Sequence, residues 1–369
     1  MGLLRLLLAI SVLLFHANAA GLQFAGGGVA VEAFFLISGF YMALILHEKY
    51  TGPGSYRLFI SNRFLKLYPA YWTVLIAALL FQLSYWLFTG NPILIFYQIL
   101  HYKMNLPGIL FLGFSNIAIL GQDIVSFFGL NRITGELFFT PNFLKTYPFL
   151  FSFLVIPQGW SLGIELCFYL VAPFLVRRKW HWLFLLIAGI LILRWALRNH
   201  WHLPYDPWIY RFFPSQLLLF LLGGVAYRLY QYCRQHIHFH SSLIIGITIL
   251  VVAATLCYDQ LPGTFIKKNS YHALVFLCLP VLMEVPRLFR FDNLLGELSY
   301  PLYLVHMLVL NMVNTFNGNP GTLPKTMVTV TTLVVSVLGA ILINRLVVRP
   351  VDKYRQRRVK AVKNKPRIT

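Results

Sequence analysis

An all-α, polytopic bundle of about ten transmembrane helices with both termini cytoplasmic is the fold class this sequence predicts, on three observations. Hydrophobic residues make up 58% of the 369 residues and charged residues only 11%, where a soluble domain carries roughly a quarter charged residues. Mean hydropathy is +0.69, and apolar runs of membrane-spanning length recur along the whole chain. The Lys and Arg residues between those runs gather in alternate connections, as the positive-inside rule requires of a multi-pass protein.

The runs fall at 4–20, 28–46, 69–88, 160–176, 181–197, 213–230, 242–258, 271–284, 299–316 and 326–347. Arg57, Arg63 and Lys66 follow the second run, and Arg177, Arg178 and Lys179 the fourth. Arg228 and Arg234 follow the sixth, Arg287 and Arg290 the eighth, and a basic tail the tenth. With the N-terminus in the cytoplasm, all of these groups lie inside. Between 92 and 158 the apolar stretches are short or broken by Pro107 and Gly108, and an even number of crossings is demanded. A re-entrant or interfacial segment with no crossing is the expectation there. The division expected is a membrane-embedded domain over 1–348 and a basic cytoplasmic tail over 349–369. Arg349, Lys353, Arg355, Arg357, Arg358, Lys360, Lys363, Lys365 and Arg367 suit that tail to anionic lipid.

Composition also excludes. A formal charge of +20 would suggest nucleic acid in a soluble chain, but here the basic residues sit mostly in short connections and in the C-terminal tail, so no nucleic-acid partner is expected. Cys167, Cys233, Cys257 and Cys278 have no CxxC spacing, which argues against a disulfide framework or zinc. His236, His238 and His240 alternate on one connection, and His200 and His202 sit on another, with no acidic or Cys ligand beside them. No metal is expected at either. Glu297 suits the N-terminal dipole of the ninth helix.

Arg5 and His16 are eleven residues apart in an otherwise apolar run broken only by Ser11. On a helix that spacing is three turns, so both project from one face about 16 Å apart. Ionisable side chains in membrane helices cost about 2.5–3.5 kcal/mol and ordinarily face a cavity or a partner. By the alternating topology His16, Glu32 and Glu165 share the outer half, with Ser38 and His306 near mid-depth. Two carboxylates and two imidazoles are therefore expected in one cavity, with Arg5, Arg63 and Lys66 at its cytoplasmic mouth.

The order Arg, ten residues, His in the first helix, then FFLISGF, NRFLKLYPAYW (62–72), WSLGIELCFYL (160–170) and LSYPLYLVH (298–306) resembles the acyltransferase 3 family of integral membrane proteins. Residues 1–20 also have the shape of a cleavable leader ending at Ala17-Asn18-Ala19, but cleavage would remove Arg5 and His16 from the matched pattern. Only four residues precede Arg5, fewer than the family's usual polar lead-in, and no extracytoplasmic hydrolase-like domain is expected.

The resemblance implies transfer of an acyl group, most often acetyl, from cytoplasmic acyl-CoA to a hydroxyl of a surface glycan or its lipid-linked precursor. Lipopolysaccharide O-antigen, capsule and exopolysaccharide are the implied acceptors, at the bacterial inner membrane. Acetyl-CoA would be a donor substrate rather than a permanently bound cofactor.

In that reading His16 takes the proton of the attacking hydroxyl and returns it to the thiolate, or carries the acyl group covalently. Glu165 orients an imidazole or binds a sugar hydroxyl, or else forms a structural ion pair. Arg5, Arg63 and Lys66 bind donor phosphates; for the last two, positive-inside anchoring is the plain alternative. Ser38 beside Gly39 lets backbone approach the donor's arm, or simply lets helices touch. Trp160, Glu32 and His306 bind the acceptor; interfacial placement and packing are the alternatives. From other functional classes, a transporter of a lipid-linked sugar or small molecule, or a scaffold for glycan assembly, also fits buried charges in a helical bundle.

Overall fold

A computed structural model describes residues 1–19, 21–263, 265–318 and 322–363, apart from the side chains of 265, 362 and 363. Lys365 and Arg367 of the basic tail lie outside them. The helices are α1 (Gly2–His16), α2 (Gly27–Glu48), α3 (Ser55–Thr89), α4 (Leu94–His101), α5 (Leu106–Ala118), α6 (Trp160–Leu175) and α7 (Trp180–Asn199). They continue as α8 (Phe213–His236), α9 (Ser241–Leu256), α10 (Phe265–Leu282), α11 (Val285–Leu288), α12 (Phe291–Asn317), α13 (Lys325–Ile343) and α14 (Arg349–Lys363). A short antiparallel hairpin, β1 (Phe128–Leu130) with β2 (Leu137–Phe139), pairs Gly129 with Phe138.

Each of the ten apolar runs contains a helix. Among the described residues four helices are long and apolar enough to cross a membrane: Gly27–Glu48, Ser55–Thr89, Trp180–Asn199 and Lys325–Ala361. Side-chain exposure explains the composition. On α7 only Leu183, Ile190 and Leu197 are buried, one narrow stripe at seven-residue spacing, while Trp182, Leu185, Ile192 and Trp195 are exposed. A helix so apolar on its open side suits hydrocarbon rather than water. Between 92 and 158, α4 and α5 have 8 and 13 residues. At 1.5 Å per residue neither reaches the roughly 30 Å of a bilayer core.

Two elements differ from expectation. The first run was expected to be helical to residue 20, but α1 stops at His16. The Ala17 amide closes on the Leu13 carbonyl at 2.9 Å and Asn18 turns to a φ of 51°. The third helix begins well before its apolar run, at Ser55, so Arg57, Arg63 and Lys66 belong to it, and Pro69 lies inside it.

The chain forms two compact units. The first comprises Met1–Tyr71, Ala172–Arg177 and Leu219–Thr369; the second comprises Trp72–Val171 and Arg178–Leu218. In the first, Ala9, Leu13 and Leu14 of α1 pack with Leu302 of α12 and Ala340 of α13. Small residues permit the closest approaches. A Cβ at Gly39 of α2 would stand 2.0 Å from the Phe220 carbonyl of α8, and one at Gly223 would stand 2.1 Å from that of Leu36. The Arg177 guanidinium donates to the Leu46 carbonyl at 2.7 Å and that of Arg228 to the Val176 carbonyl at 2.9 Å, satisfying groups that helix ends leave open.

Gly39→Leu should therefore cost at least about 1–3 kcal/mol by overpacking against backbone that cannot move aside. Gly189→Leu, where no atom lies within 4 Å of the added Cβ, is the control. Thermal unfolding in detergent reads the difference, and equal melting of the two variants would contradict the packing.

In the second unit, Leu112, Val125, Leu130, Leu150, Phe153 and Leu154 form a core under the hairpin region. Asn116 ties that region together. Its Nδ2 donates to the Phe153 carbonyl at 3.1 Å, and its Oδ1 accepts from the Val155 amide at 2.8 Å.

Candidate functional site

The two ends of α1 organise the first unit. At its start Asp292, from the first turn of α12, accepts the Gly2 and Leu3 amides at 2.8 Å each and pairs with the Met1 ammonium at 2.9 Å. Burial alone would raise the Asp292 carboxyl, but the ammonium and the two amides hold it below its ordinary range. One turn further along, the Arg5 guanidinium lies 5.8 Å from the centre of the Tyr41 ring of α2.

At the other end His16 closes the helix. Its ring centre is 5.4 Å from that of His306 on α12, the planes inclined by 31°. His16 is exposed, whereas His306 is only 1% exposed. His306 Nδ1 lies 2.7 Å from the Tyr303 carbonyl oxygen. A carbonyl only accepts, so Nδ1 carries the hydrogen and Nε2 of the neutral ring holds the lone pair. That Nε2 has no hydrogen-bond partner among the described residues. The pair therefore joins an exposed ring to a buried ring whose Nε2 has no hydrogen-bond partner among the described residues.

The remaining expected residues divide. Glu32 is 1% exposed and forms an ion pair with Lys268 Nζ at 2.6 Å, and His272 Nε2 lies 3.7 Å from it; both partners are on α10. Its carboxylate is engaged by a cluster the sequence reading missed. Lys268 and His272 are four residues apart on one helix face, which is the signal that was present. Ser38 is half-buried, and its neighbour Gly39 serves the α2–α8 contact. Arg63 is buried with its guanidinium 5.7 Å from the Phe59 ring, while Lys66 is half-buried.

Glu297 is not at a helix N-terminus, because α12 begins at Phe291. It pairs with Arg349 Nε at 3.1 Å instead. The basic tail is likewise structured over 349–363. Arg358 of α14 donates to Asn62 Oδ1 and to Ser61 Oγ, each at 2.9 Å, one residue before Arg63. Arg358→Ala should release α14 and raise hydrogen exchange across 349–363 by about tenfold or more, two hydrogen bonds being worth about 1 kcal/mol each. Unchanged exchange would contradict the clamp.

Trp160 and Glu165 belong to the second unit. Trp160 is buried, with the Arg211 guanidinium 4.6 Å from its ring centre and the Tyr210 ring at 4.8 Å. Arg211 is in turn paired with Asp206 at 2.9 Å. Glu165 accepts the Tyr169 hydroxyl one turn along α6. Of the cavity foreseen from sequence, the structure joins His16 with His306, gives Glu32 to Lys268, and assigns Glu165 to the other unit. The second unit also contains Asp123, buried beside Gly163 and missed from sequence, whose Oδ1 has no hydrogen-bond partner among the described residues.

Three comparisons bear on this arrangement. A family model described as an acyltransferase domain matches residues 1–345. An uncharacterized protein of Aquifex aeolicus (strain VF5) is 29% identical over 164 residues, covering 43% of this chain and 73% of that one. Nodulation protein 10 of Rhizobium leguminosarum bv. viciae is 28% identical over 309 residues, covering 79% of this chain and 73% of its own. No solved structure matches.

Proposed function

Because this chain belongs to the acyltransferase 3 family, with the match spanning residues 1–345, we propose that it is a membrane O-acyltransferase. It moves an acyl group, most often acetyl, from cytoplasmic acyl-CoA to a hydroxyl of a cell-surface carbohydrate at the bacterial inner membrane. The topology in this reading is ten crossings with both ends inside. The observation that carries it is the contact of exposed His16 with buried His306 at 5.4 Å, on the helix whose other end carries Arg5.

Neutral His16 accepts the proton of the acceptor hydroxyl as the oxygen attacks the thioester carbonyl. The C–O bond forms, the C–S bond breaks, and the imidazolium returns its proton to the thiolate. His306 packs against the His16 ring and limits its motion while the charge passes through it. Arg5, Arg63 and Lys66 supply positive charge to the donor's phosphates. Ser38, next to the glycine that brings α2 against α8, faces the donor's arm. Trp160 and Glu165 enter as acceptor residues on the motif WSLGIELCFYL alone, and Glu32 through its ion pair.

The test is mass spectrometry of surface glycans from cells with and without the gene, before and after mild alkaline de-esterification. Base-labile acyl mass should disappear with the gene, and identical spectra would reject the reading. One observation favours a second reading, transport of a lipid-linked sugar or small molecule: buried Glu32 with half-buried Lys268 and the neighbouring His272 has the makings of a proton relay. Transport would respond to membrane potential and need no acyl-CoA.

A further inference from the structure

A cleft of about 420 Å³ opens where α8 ends, between its last turn, the connection to α9 and the turn from α10 to α11. Its volume is ordinary for a small-molecule site. Glu284 lies in its wall with both oxygens occupied: Oε1 accepts the Tyr230 hydroxyl at 2.9 Å, and Oε2 pairs with Arg287 at 2.7 Å. The charges of Glu284 and Arg287 therefore cancel. Arg234 and His238 are left at the mouth, both exposed and neither in an ion pair among the described residues. Phe239 and Met283 add an aromatic and a soft apolar wall. The Arg234 guanidinium and the His238 ring beside a flat apolar wall suit a phosphate attached to an aromatic ring.

Its place in the fold narrows the ligand further. Met283 follows Leu282, whose carbonyl accepts from the Met1 amino group at 3.0 Å. The Tyr230 ring lies 5.9 Å from that of Phe40, next in sequence to the Tyr41 that carries Arg5. The cleft is thus at the Arg5 end of α1, and His16 is about 16 Å along that helix from Arg5. A donor held by its nucleotide at one end needs a long flexible arm to bring its thioester to the other, and pantetheine is such an arm. We propose that this cleft binds the phosphorylated nucleotide end of the acyl donor, with Arg234 and His238 on phosphate and Phe239 on the base. The assignment rests on the acyl-CoA reading.

The test is calorimetric binding of CoA, adenosine 3′,5′-bisphosphate and pantetheine to the full-length protein purified in detergent. It compares wild type with Arg234→Gln/His238→Gln and with Phe239→Leu, positions open enough to change without unfolding, as unchanged melting verifies. The bisphosphate should compete with CoA, and the double variant should weaken both by about tenfold or more, a factor of ten being about 1.4 kcal/mol. Pantetheine binding should be untouched. CoA bound equally by wild type and variants would overturn the cleft and leave the donor reading standing. Bisphosphate bound through Arg234 without any CoA binding would keep the cleft as a nucleotide site and remove the donor reading. Neither ligand binding would overturn both.

Discussion

Replacing His16 with Ala should lower acyl transfer by about a hundred- to ten-thousand-fold, the range associated with a positioned general base. The position makes the experiment clean. His16 is exposed and is the last helical residue of α1, whose packing runs through Ala9, Leu13 and Leu14, so truncating the ring removes little of the core. Membrane abundance and melting should therefore stay near wild type while base-labile acyl groups vanish from the glycan. Exposure also allows chemical rescue: millimolar imidazole should restore part of the activity to His16→Ala and none to an Arg5→Ala variant. Unaltered acylation in His16→Ala would remove that ring from the chemistry altogether.

The sequence reveals most where the pattern is local. Apolar runs locate the helices of membrane-spanning length, because burial in a bilayer demands continuous apolar length. The eleven-residue spacing of Arg5 and His16 puts both on α1 for the same reason. What hydropathy hides is pairing across the chain. Asp292 closes the first turn of α1 from 290 residues away, and nothing near either residue signals it. Lys268 falls just ahead of the apolar run 271–284 and reads as a charged connection, although α10 extends back to Phe265 and carries it against Glu32. Arg358 looks like one basic residue among many in the tail until α14 brings it to Ser61 and Asn62. The site was half legible on the same grounds. His16 and His306 are each marked by an apolar background, but only tertiary packing says that Glu32 already has a partner while His306 Nε2 has none among the described residues.

Asp123 carries the second large effect, and its sign is the reverse of the usual carboxylate. It lies in the turn after α5, packed near Gly163 and Cys167 of α6. Burial pushes its carboxyl up from 3.8 to about 6, while the amides of Gly121 and Ile124 pull only partly against that shift. The folded state thus keeps a proton that the unfolded chain gives up. Stability from the protonated form is complete below pH 3.8 and is lost as pH rises through about 6. Above that window the ionised group costs about 3 kcal/mol, two pKa units at 1.36 kcal/mol each with a small remainder.

Asp123→Asn, neutral at every pH, should therefore melt several degrees above wild type at pH 8, and the gap should close near pH 4. A variant that melts lower than wild type at pH 8 would mean that the ionised carboxylate has a favourable partner.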